Sequence, residues 1–243
     1  VRCIEPIITE KLAIDGPFSS KIGEEIFIPQ DEDEIVLCLN YDGKFGLNNM
    51  NLYFQNANTK SDVYTWTEWT FKVGDPVIFL DTKRSSLLYN NLKGKIVDIS
   101  KNDSAISFTL DIDTILTERQ CRNESFEFVD ITDFGTRIRL EVIANNDETA
   151  TDEERIKTII PFQIAYAISI HKAQGLEYKS VKIIIPPYNA EKISHSIFYT
   201  AITRAKEKLK IYWSAETMKS VVESFSKEKV GQHTLELIEK KLE

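Results

Sequence analysis

The chain has 243 residues, a formal net charge of −8, and 42% hydrophobic against 28% charged residues. Those values fit an ordinary globular protein with a core of its own and speak against a uniformly basic nucleic-acid binder. Cys3, Cys38 and Cys121 are odd in number and form no CxxC pair, which argues against a zinc site or disulfide framework. No apolar run is long enough to span a bilayer and no signal peptide opens the chain, so a cytoplasmic protein without membrane contact is expected. The start at Val1 rather than methionine suggests a piece cut from something longer.

In chain order, the acidic run Asp31-Glu32-Asp33-Glu34 reads as a solvated loop. Residues 35–40 (IVLCLN) read as a buried strand, YDGKFG as a turn, and residues 47–55 as a short helix. From Gly74 onward short β-type segments (PVIFL, GKIVDI, AISFTLDI, FEFVDI, RIRLEVI) are separated by turns, which predicts a small barrel or sandwich. A second acidic stretch, NNDETATDEE, leads to a short strand at residues 158–160. Residues 161–175 carry helix punctuation, with Pro161 at the first position, Gly175 at the end and an apolar stripe of Ile164, Ala165, Ala167 and Ile168. The run 181–185 predicts a parallel strand, 194–206 a helix and 209–213 another strand. Ser214 caps a helix to about residue 224, and a last helix is expected over 232–242. Alternating helix and strand predict an α/β fold built on a parallel sheet, with the β-rich middle inserted into it.

Two polar clusters carry the chemistry. In SIHKAQGLE, Ser169, His171, Lys172 and Gln174 crowd one turn, with Gly175 and Glu177 before a buried strand. A hydroxyl, an imidazole and an amide there suit phosphates or base edges. The plainer reading of His171 alone is a helix C-cap. In YTAITRA, Arg204 taken alone reads as a surface charge, yet a planar fork can stabilise charge on a transferred phosphoryl group. Tyr199 and Thr200 read equally as packing residues. Residues 163–213 hold eight Lys or Arg against three Glu, a local +5 on an acidic body. Tyr64, Trp66, Trp69 and Phe71 could stack bases, but core packing or an interdomain contact is the expected role. Neither Gly43-Lys44 nor Gly94-Lys95 meets the phosphate-loop pattern, and no strand ends in an Asp-Glu pair suited to magnesium.

SIHKAQGLE and YTAITRA, in that order and each followed by a strand, resemble the fifth and sixth motifs of superfamily-one helicases, the UvrD and RecD relatives. Ser169 stands where threonine is more usual and keeps the hydroxyl. CLNYDGKFGLNNMNLYFQ looks like the fourth-motif region. FKVGDPVIFLDTKRSSLLYNNLKGKIVDI looks like the opening of an inserted barrel of the Src-homology-three type, which favours RecD over UvrD. The resemblance covers roughly residues 35 to 215. It implies a RecA-like parallel sheet with helices on both faces, interrupted by a small β-barrel. The division would be 1–73 and 148–243 for the second motor domain and 74–147 for the barrel. Ser169, His171 and Lys172 would then touch single-stranded DNA, and Gln174, Gly175 and Glu177 would lie nearer the nucleotide. Arg204 would be the catalytic finger reaching across to a first motor domain missing from this chain. ATP and Mg2+ would belong to the full-length helicase and not to this piece, which alone is expected to be inactive. The competing expectation is a free-standing nucleic-acid-binding or regulatory module with a helicase-derived fold and no ATPase activity.

Overall fold

The computed structural model describes residues 3–8, 33–41, 45–59, 61–80, 84–144, 151–186 and 193–225. The first strands are β1 (Cys3–Ile8) and β2 (Glu34–Cys38), followed by helix α1 (Leu47–Ala57). Next come β3 (Tyr64–Trp66), β4 (Trp69–Phe71), β5 (Pro76–Phe79), β6 (Lys93–Lys101) and β7 (Ala105–Ile112). The short α2 (Glu118–Cys121) precedes β8 (Glu127–Thr132) and β9 (Gly135–Ile143), and α3 (Asp152–Lys157) precedes β10 (Phe162–Ile164). The chain continues through β11 (Ala167–Ser169), β12 (Tyr178–Ile184), α4 (His195–Ile202), β13 (Ala205–Trp213) and α5 (residues 215–225). The expected helix over 232–242 lies outside the described residues. Two compact units emerge, residues 1–50 with 167–243 and residues 51–166.

The first unit is a five-stranded sheet of order β1-β13-β12-β2-β11, parallel throughout. Its strands are continuous apolar runs because both faces are covered: Ile35, Val36, Leu37, Val181, Ile183 and Ile184 are all buried. Ser194 caps α4 by accepting the Ile197 N–H at 3.3 Å, and Ser214 caps α5 by accepting the Thr217 N–H at 3.0 Å. Phe198 of α4 stacks on Trp213 at 5.9 Å and meets Phe225 of α5 at 5.5 Å, so both helices lie on the side of the sheet that Trp213 presents. The acidic run ends differently from its reading as a solvated loop. Glu34 begins β2, and its carboxylate forms an ion pair with Lys182 of β12, whose side chain is fully buried. Ser180 donates its hydroxyl to the same carboxylate at 2.8 Å.

The second unit is a six-stranded antiparallel sheet of order β10-β5-β6-β7-β9-β8, with the hairpin β3-β4 beside it. No ladder joins the outer strands β10 and β8 among the described residues, so an open sheet stands where a closed barrel was expected. Phe71, Phe79, Phe108 and Phe162 meet edge to face at 5.0–6.0 Å in its core. Trp66 and Phe71 belong to this core and Tyr64 packs against it, while Trp69 is exposed.

Two expectations are corrected here. Residues 161–175 are not a helix. Leu80 N–H donates to Pro161 O at 2.8 Å and Ala165 N–H to Pro76 O at 2.8 Å, so this stretch is strand β10 along β5. Phe162 is drawn into the aromatic core, and that burial overrides the helical spacing. Nor are residues 158–160 a strand; they form the turn after α3.

Asp75 organises the root of this unit. Although fully buried, it accepts from Gln55 Nε2 at 2.6 Å, Lys72 N–H at 2.9 Å and the Tyr166 hydroxyl at 2.8 Å. Lys72 Nζ donates to the Gln55 and Asn58 carbonyls at 2.8 and 2.7 Å, satisfying groups that the end of α1 leaves open. Burial raises the Asp75 carboxyl above its ordinary range, against the pull of these hydrogen bonds, and burial likewise raises the Tyr166 phenol.

Candidate functional site

The segment SIHKAQGLE leaves the end of β11 as a series of turns. Ser169 is buried, and its Oγ accepts the Lys172 N–H at 3.3 Å, while Ala173 N–H donates to Ser169 O at 3.1 Å. Gln174 N–H donates to His171 O and Leu176 N–H to Ala173 O, at 3.3 and 3.0 Å. Gly175 has a φ of +84° with open space around its Cβ position, so backbone conformation rather than crowding calls for glycine there. His171 and Gln174 are exposed. Lys172 is half-buried, which lowers its pKa. His171 therefore sits in a turn and caps no helix.

Strand register divides the predicted residues into two groups. Ser169 pairs with Cys38, the last residue of β2, whereas Ser180 pairs with Glu34, its first. At the usual strand rise those levels are about 13 Å apart. Ser169 thus lies at the C-terminal end of the parallel strands, where open α/β sheets bind ligands, with His171 and Lys172 in the turn that follows. Glu177 and Arg204 lie at the opposite end, where Tyr178 pairs with Ala205. Gln174 and Gly175 occupy the turn between.

At that second end Arg204 follows α4 and is half-buried. Its Nε donates to Thr200 O at 2.9 Å, Nη1 to Leu176 O at 3.0 Å, and Nη2 to Thr203 Oγ1 at 2.9 Å. Tyr178 N–H donates to Arg204 O at 2.9 Å, so the two motifs are joined through both backbone and side chain. Glu177 faces Lys206 at 3.8 Å with both side chains more than half exposed, a weak pair. Tyr199 is exposed and packs into no core. The basic strip is narrower than its count, because Lys182 is consumed by the buried pair with Glu34. Sequence reading missed that pair, Thr203 as an acceptor, and the Leu176 carbonyl. Leu176 and Thr203 both lay inside the motifs, but residue type carries no signal for a backbone carbonyl, so only the Thr203 hydroxyl could have been found there.

Among the described residues no group of three His, Cys, Asp or Glu is placed to hold a metal ion. No helix among them is long and apolar enough to cross a membrane.

Residues 164–212, which contain both polar clusters, match the model of the UvrD-like helicase C-terminal domain. The RecD subunit of the RecBCD enzyme from Buchnera aphidicola (subspecies Acyrthosiphon pisum) is 25% identical over 183 residues, covering 73% of this chain and 24% of that protein. RecD from the Schizaphis graminum subspecies is 22% identical over 185 residues, 74% of this chain and 25% of that one. An uncharacterized protein of Methanocaldococcus jannaschii is 44% identical over 62 residues, 26% of this chain and 5% of its own length. The chain spans about a quarter of the length of the two RecD relatives. Among solved structures, Pif1 helicase from Candida albicans has a TM-score of 0.43 at 15% identity, covering 84% of this chain and 54% of that one. Bacteroides Pif1 in complex with ADP-AlF3 and single-stranded DNA has a TM-score of 0.39 at 16% identity, covering 83% and 43%.

Proposed function

We propose that this chain, which carries the C-terminal domain of a superfamily-one helicase, serves as the second motor domain of an ATP-dependent, RecD-like DNA helicase. The observation that carries the reading is the separation of the two motifs: polar groups at the C-terminal strand ends and a tethered arginine at the other end, joined by one loop. Ser169, His171 and Lys172 contact the single-stranded DNA backbone. Gln174, Gly175 and Glu177 lead from that contact toward the nucleotide side. Arg204 is the catalytic residue, donating to the phosphoryl group presented by a facing first motor domain as negative charge develops there. ATP and Mg2+ are held by that first domain, and this chain alone turns over no ATP. The antiparallel unit of residues 51–166, which contains the insertion expected over 74–147, takes the place of the family's small barrel.

The test is ATP turnover by the helicase containing both motor domains. Arg204→Ala is expected to reduce it by about 10³-fold or more while single-stranded DNA affinity stays within a few-fold. Turnover that survives Arg204→Ala would remove the finger assignment.

A further inference from the structure

We infer that Thr203 is the positioning residue of Arg204, and that a neutral cradle of Thr200 O, Leu176 O and Thr203 Oγ1 holds the guanidinium fork open toward a phosphoryl oxygen. This rests on the reading of Arg204 given above. A guanidinium carries five N–H donors. Three are used, one each by Thr200 O, Leu176 O and Thr203 Oγ1. The other two, one on each terminal nitrogen, meet no acceptor among the described residues. On a half-buried side chain those two donors remain available to a ligand.

The acceptors are neutral. No carboxylate pairs with Arg204 among the described residues; Glu177, the chain neighbour of the acceptor Leu176, faces Lys206 at 3.8 Å. A carboxylate partner would cancel the charge that a phosphoryl group is to feel. The Thr200 carbonyl at the C-terminal end of α4 and the Leu176 carbonyl in the turn before β12 hold the cation through their dipoles and leave its net charge intact. Thr203 Oγ1 is itself fixed, lying 2.9 Å from Tyr199 O and 3.1 Å from Thr200 O. Its single proton goes to that last turn, so its lone pairs are left to face Arg204 Nη2. Two of the three acceptors are backbone carbonyls, which makes the Thr203 hydroxyl the side-chain member of the cradle. Ordering the arginine within the folded domain spares that entropy at the moment of reaction.

Two measurements test this. In the helicase with both motor domains, Thr203→Val, which keeps the shape and loses the acceptor, is expected to lower kcat by about 10- to 10²-fold with KM for ATP unchanged. Thr203→Ser is expected to stay within a few-fold of wild type. In this 243-residue chain, the Arg204 Nε–H resonance is expected to be more rigid by NMR relaxation than that of the exposed Arg139, and to lose that rigidity in Thr203→Val. An Arg204 Nε–H as mobile as that of Arg139 in the unsubstituted chain overturns the cradle without any variant having to fold. If Arg204→Ala abolishes turnover but Thr203→Val leaves kcat intact, the positioning role falls and the finger stands. If Arg204→Ala leaves turnover intact, the finger falls, and the relaxation data still decide the cradle.

Discussion

Lys182 and Glu34 face each other across β12 and β2 with side chains 0% and 5% exposed, an ion pair sealed inside a parallel sheet. Burying two charges gains little over apolar packing, but removing one partner strands the other. Glu34→Leu or Lys182→Met alone is expected to destabilise the first unit by about 3–5 kcal/mol. The double variant Glu34→Leu/Lys182→Met should recover most of that loss. Urea unfolding of the three variants measures the coupling, and additive losses would show the pair to be uncoupled.

Because Lys182 is unavailable, single-stranded DNA binding by this chain rests on few cations. We expect weak binding that falls with salt, and Lys172→Ala should reduce the slope of log K against log salt by about 0.7. The Glu34→Leu/Lys182→Met variant should leave the slope unchanged. Oligonucleotide titrations at several ionic strengths give these slopes. Tight binding indifferent to salt would point instead to stacking on the exposed Trp69.

Arg204→Lys in the two-domain helicase is expected to restore little of the turnover lost in Arg204→Ala. An ammonium cannot bond three fixed acceptors and also present a planar pair of donors. Lys206→Ala and Lys208→Ala serve as controls, both residues being exposed on β13. Steady-state phosphate release by the four variants checks the order.

Asp75 sets a pH dependence. Its folded pKa is raised by burial, so the folded state holds the proton more tightly than the unfolded chain does. The stability it contributes is complete below the unfolded carboxyl range and is lost as pH rises through the folded value. The stability gap between wild type and Asp75→Asn is therefore expected to be wider at pH 4 than at pH 7, read by urea midpoints at both. A gap that widens toward neutral pH would reverse the assigned sign.

Gly135, with φ +149°, opens β9. A Cβ there would sit 2.2 Å from Ile112 O and 2.9 Å from Thr114 N, both backbone atoms that cannot swing aside. Gly135→Ala is expected to destabilise the second unit by about 1–3 kcal/mol, measurable by thermal unfolding.

Much of this was legible in the sequence. The apolar runs at β2 and β12 and the serines before α4 and α5 announce themselves locally, since each rests on neighbours in the chain. Residues 161–175 did not. Pro161 and Gly175 punctuate a helix convincingly, and Gly175 does take a positive φ, but Phe162 answers to Phe71, Phe79 and Phe108, far off in sequence. Glu34 was hidden for a related reason, because charge runs are solvated on average and only the place of β2 beside β12, in a sheet covered on both faces, encloses the last member of this one. The residues of both motifs were identifiable by type. Their division between opposite ends of the sheet follows from register, which no local pattern encodes.

The strand order β1-β13-β12-β2-β11 seats β2 between two partners that are synthesised more than a hundred residues after it. Residues 51–166 are contiguous, and most of their ladders join strands close in sequence. During synthesis they can therefore complete most of their sheet while β2, with its apolar run and the Glu34 carboxylate, still waits for β11 and β12. Closing so long a loop is slow, and an unpaired apolar strand invites association in the interval. The inserted unit thus sets the folding timetable of the sheet it interrupts, and chains truncated before Ala167 should accumulate with β2 unpaired and prone to aggregate.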